Sequence, residues 1–268
     1  MSFNLEKIQQ LITDTATEEL LPRFQHTSSR KKADGSLITS ADLAIQQRIG
    51  DALSQLHPEI PFLGEEMSAE DQQRVMKESA TGFWCLDPLD GTANFVAGMP
   101  CFAISLAYLK HGEPQLGCIY DPMRDEFFHA QAGKGAFLNG ARLELHQPVG
   151  ILADAIAMVD FKRLPPALAT HMATSPPFRS QRSIGSVALD WCWLAAGRLQ
   201  LYLHGGQRLW DYAAGRLIFA EAGGVLNLSD RLDPLEQYTL DLQPKIAIGA
   251  VNQALFKLWS TWIKQNSS

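Results

Sequence analysis

The stretch from Trp84 to Phe95, Trp-Cys-Leu-Asp-Pro-Leu-Asp-Gly-Thr-Ala-Asn-Phe, constrains this chain more than any other. A short apolar run carries the backbone inward and ends in two carboxylates, a proline-directed turn and a hydroxyl. Pro88 fixes its own φ and restricts Asp87, so the backbone sets the carboxylate geometry before any ligand arrives. Hard cations such as Mg²⁺ take clustered oxygen ligands, and Asp87 and Asp90, on either side of that turn, can converge on one point. Gly91 permits a close backbone approach, and the amides after it can open a helix that faces an anion. Carboxylates for a cation beside amides for a phosphate point to metal-assisted phosphoryl chemistry. Asp-Pro and Asp-Gly pairs are also common in surface turns, so the segment alone is compatible with a structural turn. The alternate-position ligands of an EF-hand are absent, because Pro88 and Leu89 follow Asp87.

The 268 residues are 46% hydrophobic and 19% charged, enough for a large buried core in one domain or in two intimately packed halves. A net charge of −6 argues against nucleic acid as the main partner, and it means that a phosphate must be met by bound cations and local amides. The four cysteines (Cys85, Cys101, Cys118 and Cys192) form no C-x-x-C pair and lie in apolar surroundings, so buried reduced thiols are expected. The N-terminus lacks the basic-then-apolar pattern of a secretory signal. No apolar run approaches the roughly 18 residues that a membrane span requires. A soluble cytoplasmic protein is the expectation.

Along the chain, residues 3–24 carry apolar positions at helical spacing, with Pro22 near the end. A polar, basic loop follows over 25–40, in which Lys31 and Lys32 read as solvated, with contacts to a phosphate or to the metal loop as the alternative. A second helix is expected over about 41–56, stopped by His57-Pro58, and Ile60–Leu63 reads as a short strand running into Gly64-Glu65-Glu66. The runs 102–109, 116–120 and 126–131, separated by turn signals, predict an antiparallel sheet. Gln147-Pro148-Val149-Gly150 is the best boundary between an N-terminal half (1–147) and a C-terminal half (148–268). The second half alternates: strand 155–159, helix 165–172, helix 185–196, strand 199–203, helix 212–222 ended by Gly223-Gly224, strand 246–248 and a helix from about 252. That order predicts an α/β layered half. Asp211 reads as the N-cap of its helix, with completion of a metal site as the alternative.

Taken together, Leu37-Ile38-Thr39-Ser40-Ala41-Asp42, Gly64-Glu65-Glu66, Asp87-Pro88-Leu89-Asp90-Gly91-Thr92 with Asn94-Phe95, Gly185-Ser186 and Trp210-Asp211 with Glu221-Ala222-Gly223-Gly224 resemble, in order, the motifs of the inositol monophosphatase family. This is a family of Mg²⁺-dependent, lithium-sensitive phosphatases. The resemblance implies an α+β fold layered as an αβαβα sandwich, and two to three Mg²⁺ ions. Glu65, Asp87 and the Leu89 carbonyl would hold the first ion; Asp87, Asp90 and Asp211 the second; Glu65 would help a weaker third. Gly91 and Thr92 would receive the phosphate through backbone amides, Glu66 would support the metal shell, and Asp42 would hydrogen-bond the Thr92 hydroxyl. Glu65, Asp87, Asp90, Thr92 and Asp42 are the catalytic candidates. Gly91, Thr92, Gly185, Ser186, His204 and Asp211 are the substrate candidates. The implied substrate is a small phosphorylated alcohol hydrolysed by metal-activated water, and the implied assembly is a homodimer.

Two departures bear on the substrate. Ser36 stands where the family often has an acidic residue, and His204 where an acidic residue commonly meets inositol hydroxyls, which puts an inositol preference in doubt. The Asp34-Gly35-Ser36 loop also resembles histidinol-phosphate phosphatases of the same superfamily, and other sugar or nucleotide phosphates stay open. A non-catalytic binding role is the alternative of another class. Trp191 and Trp193 read as packing or subunit contact, and Asp190 as a residue behind the site or at a dimer contact.

Overall fold

A computed structural model of the chain describes residues 3–26, 28–32, 35–78, 82–146, 150–232 and 238–267. The first helix, α1 (Leu5–Thr15), is capped by Asn4 and continues through a wider turn at Ala16–Leu20 and a 3₁₀ turn at Leu21–Arg23. The polar segment expected as a loop contains a two-stranded hairpin, β1 (Ser29–Lys31) and β2 (Leu37–Thr39). Its charged residues hid it, since they carry no strand-like apolar alternation. Next come α2 (Ser40–Leu56), β3 (Phe62–Gly64), α3 (Ala69–Glu78), β4 (Phe83–Asp90) and the short α4 (Thr92–Val96). Strands β5 (Ala103–Lys110), β6 (Glu113–Asp121), β7 (Glu126–Gln131), β8 (Gly135–Leu138) and β9 (Ala141–Leu143) form the expected meander, extended by two strands. The chain then runs through β10 (Ile156–Asp160), α5 (Pro166–Thr174), β11 (Ser180–Arg182), α6 (Val187–Ala195) and β12 (Leu201–Gln207). It ends with α7 (Leu209–Glu221), β13 (Val225–Ser229), β14 (Lys245–Ala250) and α8 (Gln253–Asn266).

Strands β3 to β9 lie side by side in sequence order as a seven-stranded sheet, antiparallel apart from the parallel β3–β4 pair. The second sheet has the order β11-β10-β12-β14-β13. Helices α1 and α2 cover one face of the large sheet, burying Ile8, Ile12, Ile45 and Ile49 against Trp84, Leu86, Ile104 and Leu106. Helices α6 and α7 fill the space between the two sheets, and α5 and α8 close the far side, where His171 stacks on Trp262. The result is the expected αβαβα order. Being covered on both faces, β4 is buried at all eight positions, which is why it reads as an unbroken apolar run rather than an alternation.

Several expectations shift. Helix α3 escaped notice because only Gln72 and Val75 of its ten residues are buried. Asp211 is not the N-cap of α7: that position belongs to Arg208, and Asp211 sits in the first turn, accepting from Arg208 N at 2.8 Å. Three cysteines are buried, Cys101 is half-buried, and all four are free. The expected boundary falls on residues 147–149, outside the described residues, as does Asp34. Among the described residues, no helix is long and apolar enough to cross a membrane.

Candidate active site

Successive side chains of a regular strand point to opposite faces, so residues 87 and 90 of β4 ought to diverge. They converge because the strand bulges: Asp87 pairs with Ser105 and Asp90 with Ala103, so three steps on β4 match two on β5. Pro88 lies inside this bulge, where its missing N–H breaks no ladder bond. The bulge turns both carboxylates to one side, toward the first turn of α7. There Asp87, Asp90 and Asp211 bring carboxylate oxygens within 4.8 Å of one another.

Backbone amides hold each member in place. Leu89 N donates to Asp87 Oδ1 at 3.0 Å, Ala188 N to Asp90 Oδ2 at 2.8 Å, and Arg208 N to Asp211 Oδ2. Among the described residues, no Lys, Arg or His nitrogen pairs with these three groups. Their mutual repulsion is offset by no direct ion pair among the described residues, and only in small part by the more distant Arg163 acting on Asp211. Burial, reinforced by Glu65 and by one another, pushes Asp87 and Asp211 well above the ordinary carboxylate range. Burial likewise pushes Asp90 up to about 6 against the bonds from Ser186 and Ala188. An all-oxygen, acidic, converging donor set with no internal counter-charge fits a hard divalent cation.

Glu65 and Glu66 follow β3, whose pairing with β4 continues as Glu65 N donates to Leu86 O at 3.1 Å. Neither is free. Lys32, expected to be solvated, reaches in from the hairpin with its Nζ 2.7 Å from Glu65 Oε1 and 2.5 Å from Glu66 Oε1. Burial alone would lower the Lys32 pKa, but the two glutamates raise it above its usual range. Burial pushes Glu66 up to about 7 despite the lysine.

On the other side of the cluster, Gly91 starts α4 with φ 94°, and a Cβ there would lie 2.8 Å from the Cys101 carbonyl oxygen, so only glycine fits. Thr92 Oγ1 lies 3.0 Å from Leu89 O and 3.3 Å from Asp42 Oδ1. Asp42 closes the capping box of α2, accepting from Thr39 N at 2.7 Å. Burial and the nearby Glu65 raise its pKa against the Thr39 bonds.

These residues open on a cavity of about 580 Å³, within the usual range for a small-molecule site. Glu65, Asp87, Leu89, Asp90, Gly91, Thr92, Gly185, Ser186, His204 and Asp211 all line it, whereas Asp42 stands behind Thr92. Two substrate candidates have their side chains committed within the protein. Ser186 is buried and its hydroxyl donates to Asp90 Oδ2, making it a support for that carboxylate. His204 is also buried: its Nε2 lies 3.4 Å from Asp160 Oδ2 and its Nδ1 accepts from Gly206 N at 3.2 Å. Burial lowers its pKa despite Asp160. Asp190 lines the cavity too, with Oδ1 unpartnered and burial pushing its pKa well up. Sequence reading missed Asp160, Lys162, Arg163 and Arg208 on the same lining. The available signal was position: Asp160 ends β10, Lys162 and Arg163 follow it, and Arg208 precedes α7, at strand and helix ends where sites form.

The layered fold and its cluster of three carboxylates define a class of α+β proteins whose site could hold a hard cation. The chain belongs to the inositol monophosphatase family, whose model matches residues 4–256, and it is thereby a phosphoric monoester hydrolase. It is 37% identical over 201 residues to inositol monophosphatase 1 of Solanum lycopersicum, covering 73% of each chain. It is 35% identical over 212 residues to the Nus factor SuhB of Vibrio cholerae, covering 77% of each. Among solved structures it resembles an IMPase of Thermotoga maritima (TM-score 0.83, 26% identity, 97% of this chain and 96% of that one). A staphylococcal IMPase-I complexed with products is similar (TM-score 0.81, 26% identity, 99% and 98%).

Proposed function

We propose that the protein hydrolyses a small phosphorylated alcohol with the aid of two to three Mg²⁺ ions. The convergence of Asp87, Asp90 and Asp211 beside the Thr92–Asp42 pair carries this reading. Glu65, Asp87 and the Leu89 carbonyl would hold one ion, and Asp87, Asp90 and Asp211 a second. A weaker third would need Glu65 to release Lys32. Bound there, the ions supply an activated water and neutralise charge on the phosphoryl oxygens and the leaving alkoxide.

The protein's own part is positioning and proton handling. The Gly91 and Thr92 amides, at the start of α4, receive phosphoryl oxygens, and the strand bulge fixes their distance from Asp87 and Asp90. Thr92 Oγ1 takes a proton from the attacking water as it passes its own to Asp42 Oδ1, so the hydroxyl is regenerated and the proton ends on the carboxylate. Burial raises the Asp42 pKa and makes it a stronger base than an ordinary carboxylate. Ser186 and Ala188 N, at the start of α6, keep Asp90 in one rotamer, so the site is preorganised by the large sheet and the helix packed on it.

The test is phosphate release by the purified protein, with and without Mg²⁺, from inositol 1-phosphate, glycerol 2-phosphate, histidinol phosphate and adenosine 3′,5′-bisphosphate. Asp90→Asn is expected to lower kcat roughly a thousandfold, since several kcal/mol of charge stabilisation go with the ligand. Turnover that ignores both Mg²⁺ and the substitution would sink the reading. The similarity to a protein named as a Nus factor supports a second reading, a binding role on the same fold. A cellular phenotype rescued by Asp90→Asn would favour that role.

A further inference from the structure

The cavity that holds the carboxylates also carries the opposite charge. Lys162 and Arg163 stand on the 3₁₀ turn Phe161–Arg163 that follows β10, and Arg208 stands just before α7. Three cations on one lining are notable in a chain of net charge −6. Arg163 is the partly compensated one, with Nε 3.5 Å from Asp160 Oδ2. Lys162 and Arg208 pair with no carboxylate among the described residues; the Arg208 guanidinium donates only to the Leu242 carbonyl, at 3.2 Å.

Two acceptors that an uncharged polyol would use, Asp160 and His204, are occupied. Asp160 and His204 face each other across β10 and β12. Asp160 Oδ1 accepts from Lys162 N at 3.2 Å, while Oδ2 faces both His204 and Arg163. His204 Nδ1 is already taken by Gly206 N. The Lys162 and Arg208 side chains stay open to a ligand on this lining, beside the unpartnered Oδ1 of the buried Asp190.

The placement is built into the fold. Strand β12 bulges between His204 and Gln207, and the turn bearing Lys162 and Arg163 is pressed against it. A Cβ at Gly205 would lie 1.9 Å from the Arg163 carbonyl oxygen, so glycine alone permits this approach.

Resting on the phosphatase reading, we infer that the substrate is a phosphomonoester whose alcohol portion carries a second anionic group, a carboxylate or another phosphate, received by Lys162 and Arg208. The acidic end reaches a phosphate only through bound cations, whereas the basic end attracts an anion directly, so the cavity orients a doubly anionic substrate. Charged hydrogen bonds of this kind favour a bound anion while bulk solvent is partly excluded.

The experiment compares kcat/KM within two matched pairs on the Mg²⁺-loaded enzyme: 2-phosphoglycerate against glycerol 2-phosphate, and fructose 1,6-bisphosphate against fructose 1-phosphate, with products identified. The doubly anionic member is expected to be favoured about tenfold or more, mostly through KM, and less so at high ionic strength. In Lys162→Gln, an exposed position where folding is not at issue, the ratio falls toward one, and Arg208→Gln acts in the same sense. A preference in the first pair alone assigns a carboxylate; in the second alone, a second phosphate. Turnover of all four with ratios near one, or ratios that Lys162→Gln leaves intact, overturns the inference while the phosphatase reading stands. No turnover of these compounds or of inositol 1-phosphate overturns both.

Discussion

Lys32 sits in a basic run, Arg30-Lys31-Lys32, that carries no pattern distinguishing one member from the next. Its role depends on the hairpin, which carries it to Glu65 and Glu66, residues 33 and 34 positions away. A cation bound at Glu65 must compete with this ammonium. Lys32→Gln is therefore expected to tighten Mg²⁺ binding several-fold, read by calorimetry. The same change leaves Glu66 buried without its partner and lowers metal-free stability by about 1–2 kcal/mol. That corresponds to a fall of a few degrees in Tm for a chain of this size. Weaker Mg²⁺ binding in the variant would show instead that Lys32 supports the ion.

Helix α4 is only five residues long, yet it links distant parts of the chain. Asn94, buried in it, donates through Nδ2 to the Cys101 carbonyl at 2.7 Å and to the Ile184 carbonyl at 2.6 Å. The second bond reaches 90 residues along the chain and anchors the segment that leads into Gly185 and Ser186. Asn94→Ala strands two carbonyls and is expected to cost about 2 kcal/mol, seen as a lower urea midpoint at unchanged m-value. Because Ser186 steadies Asp90, kcat is expected to fall as well. At the start of α2 the cap is tied to the site: Thr39→Ala removes a hydroxyl that accepts from Ala41 N and donates to Asp42, at a cost of about 1 kcal/mol, and by releasing Asp42 it raises that carboxyl's pKa further.

For the molecule as a whole, the carboxylate cluster sets the pH dependence of the metal-free state. Asp90 is raised to about 6 and Glu66 to about 7, with Asp87 and Asp211 above the ordinary range, so between pH 4 and 7 the folded chain binds more protons than the unfolded chain. Stability from these groups is fully present below their unfolded pKa values and is lost as pH rises through the folded ones. Metal-free protein is thus expected to melt at a lower temperature at pH 8 than at pH 5.5. Mg²⁺ binds the deprotonated cluster and raises Tm most at the higher pH. Thermal denaturation in chelator and in Mg²⁺ across that range checks this; a chelated protein whose Tm rises with pH would contradict it.

Local chemistry made much of this protein legible from its sequence. The αβαβα layering was implied by the family resemblance that the ordered motifs carry. The candidate ligands Asp87 and Asp90 lie within one turn whose geometry Pro88 and Gly91 set, and Asp211 marks a helix start. Buried strands read as apolar runs, and the meander showed its turns. Helix α3 and the β1–β2 hairpin stayed hidden because they bury little. What tertiary structure alone decided is which charges neutralise which. The pairing of Lys32 with Glu65 and Glu66 and the facing of His204 with Asp160 depend on strand register and sheet packing between distant segments. So does the gathering of Lys162, Arg163 and Arg208 around one cavity. Coulombic energy depends on distance in space, and sequence spacing sets that distance only within a turn or two of the chain.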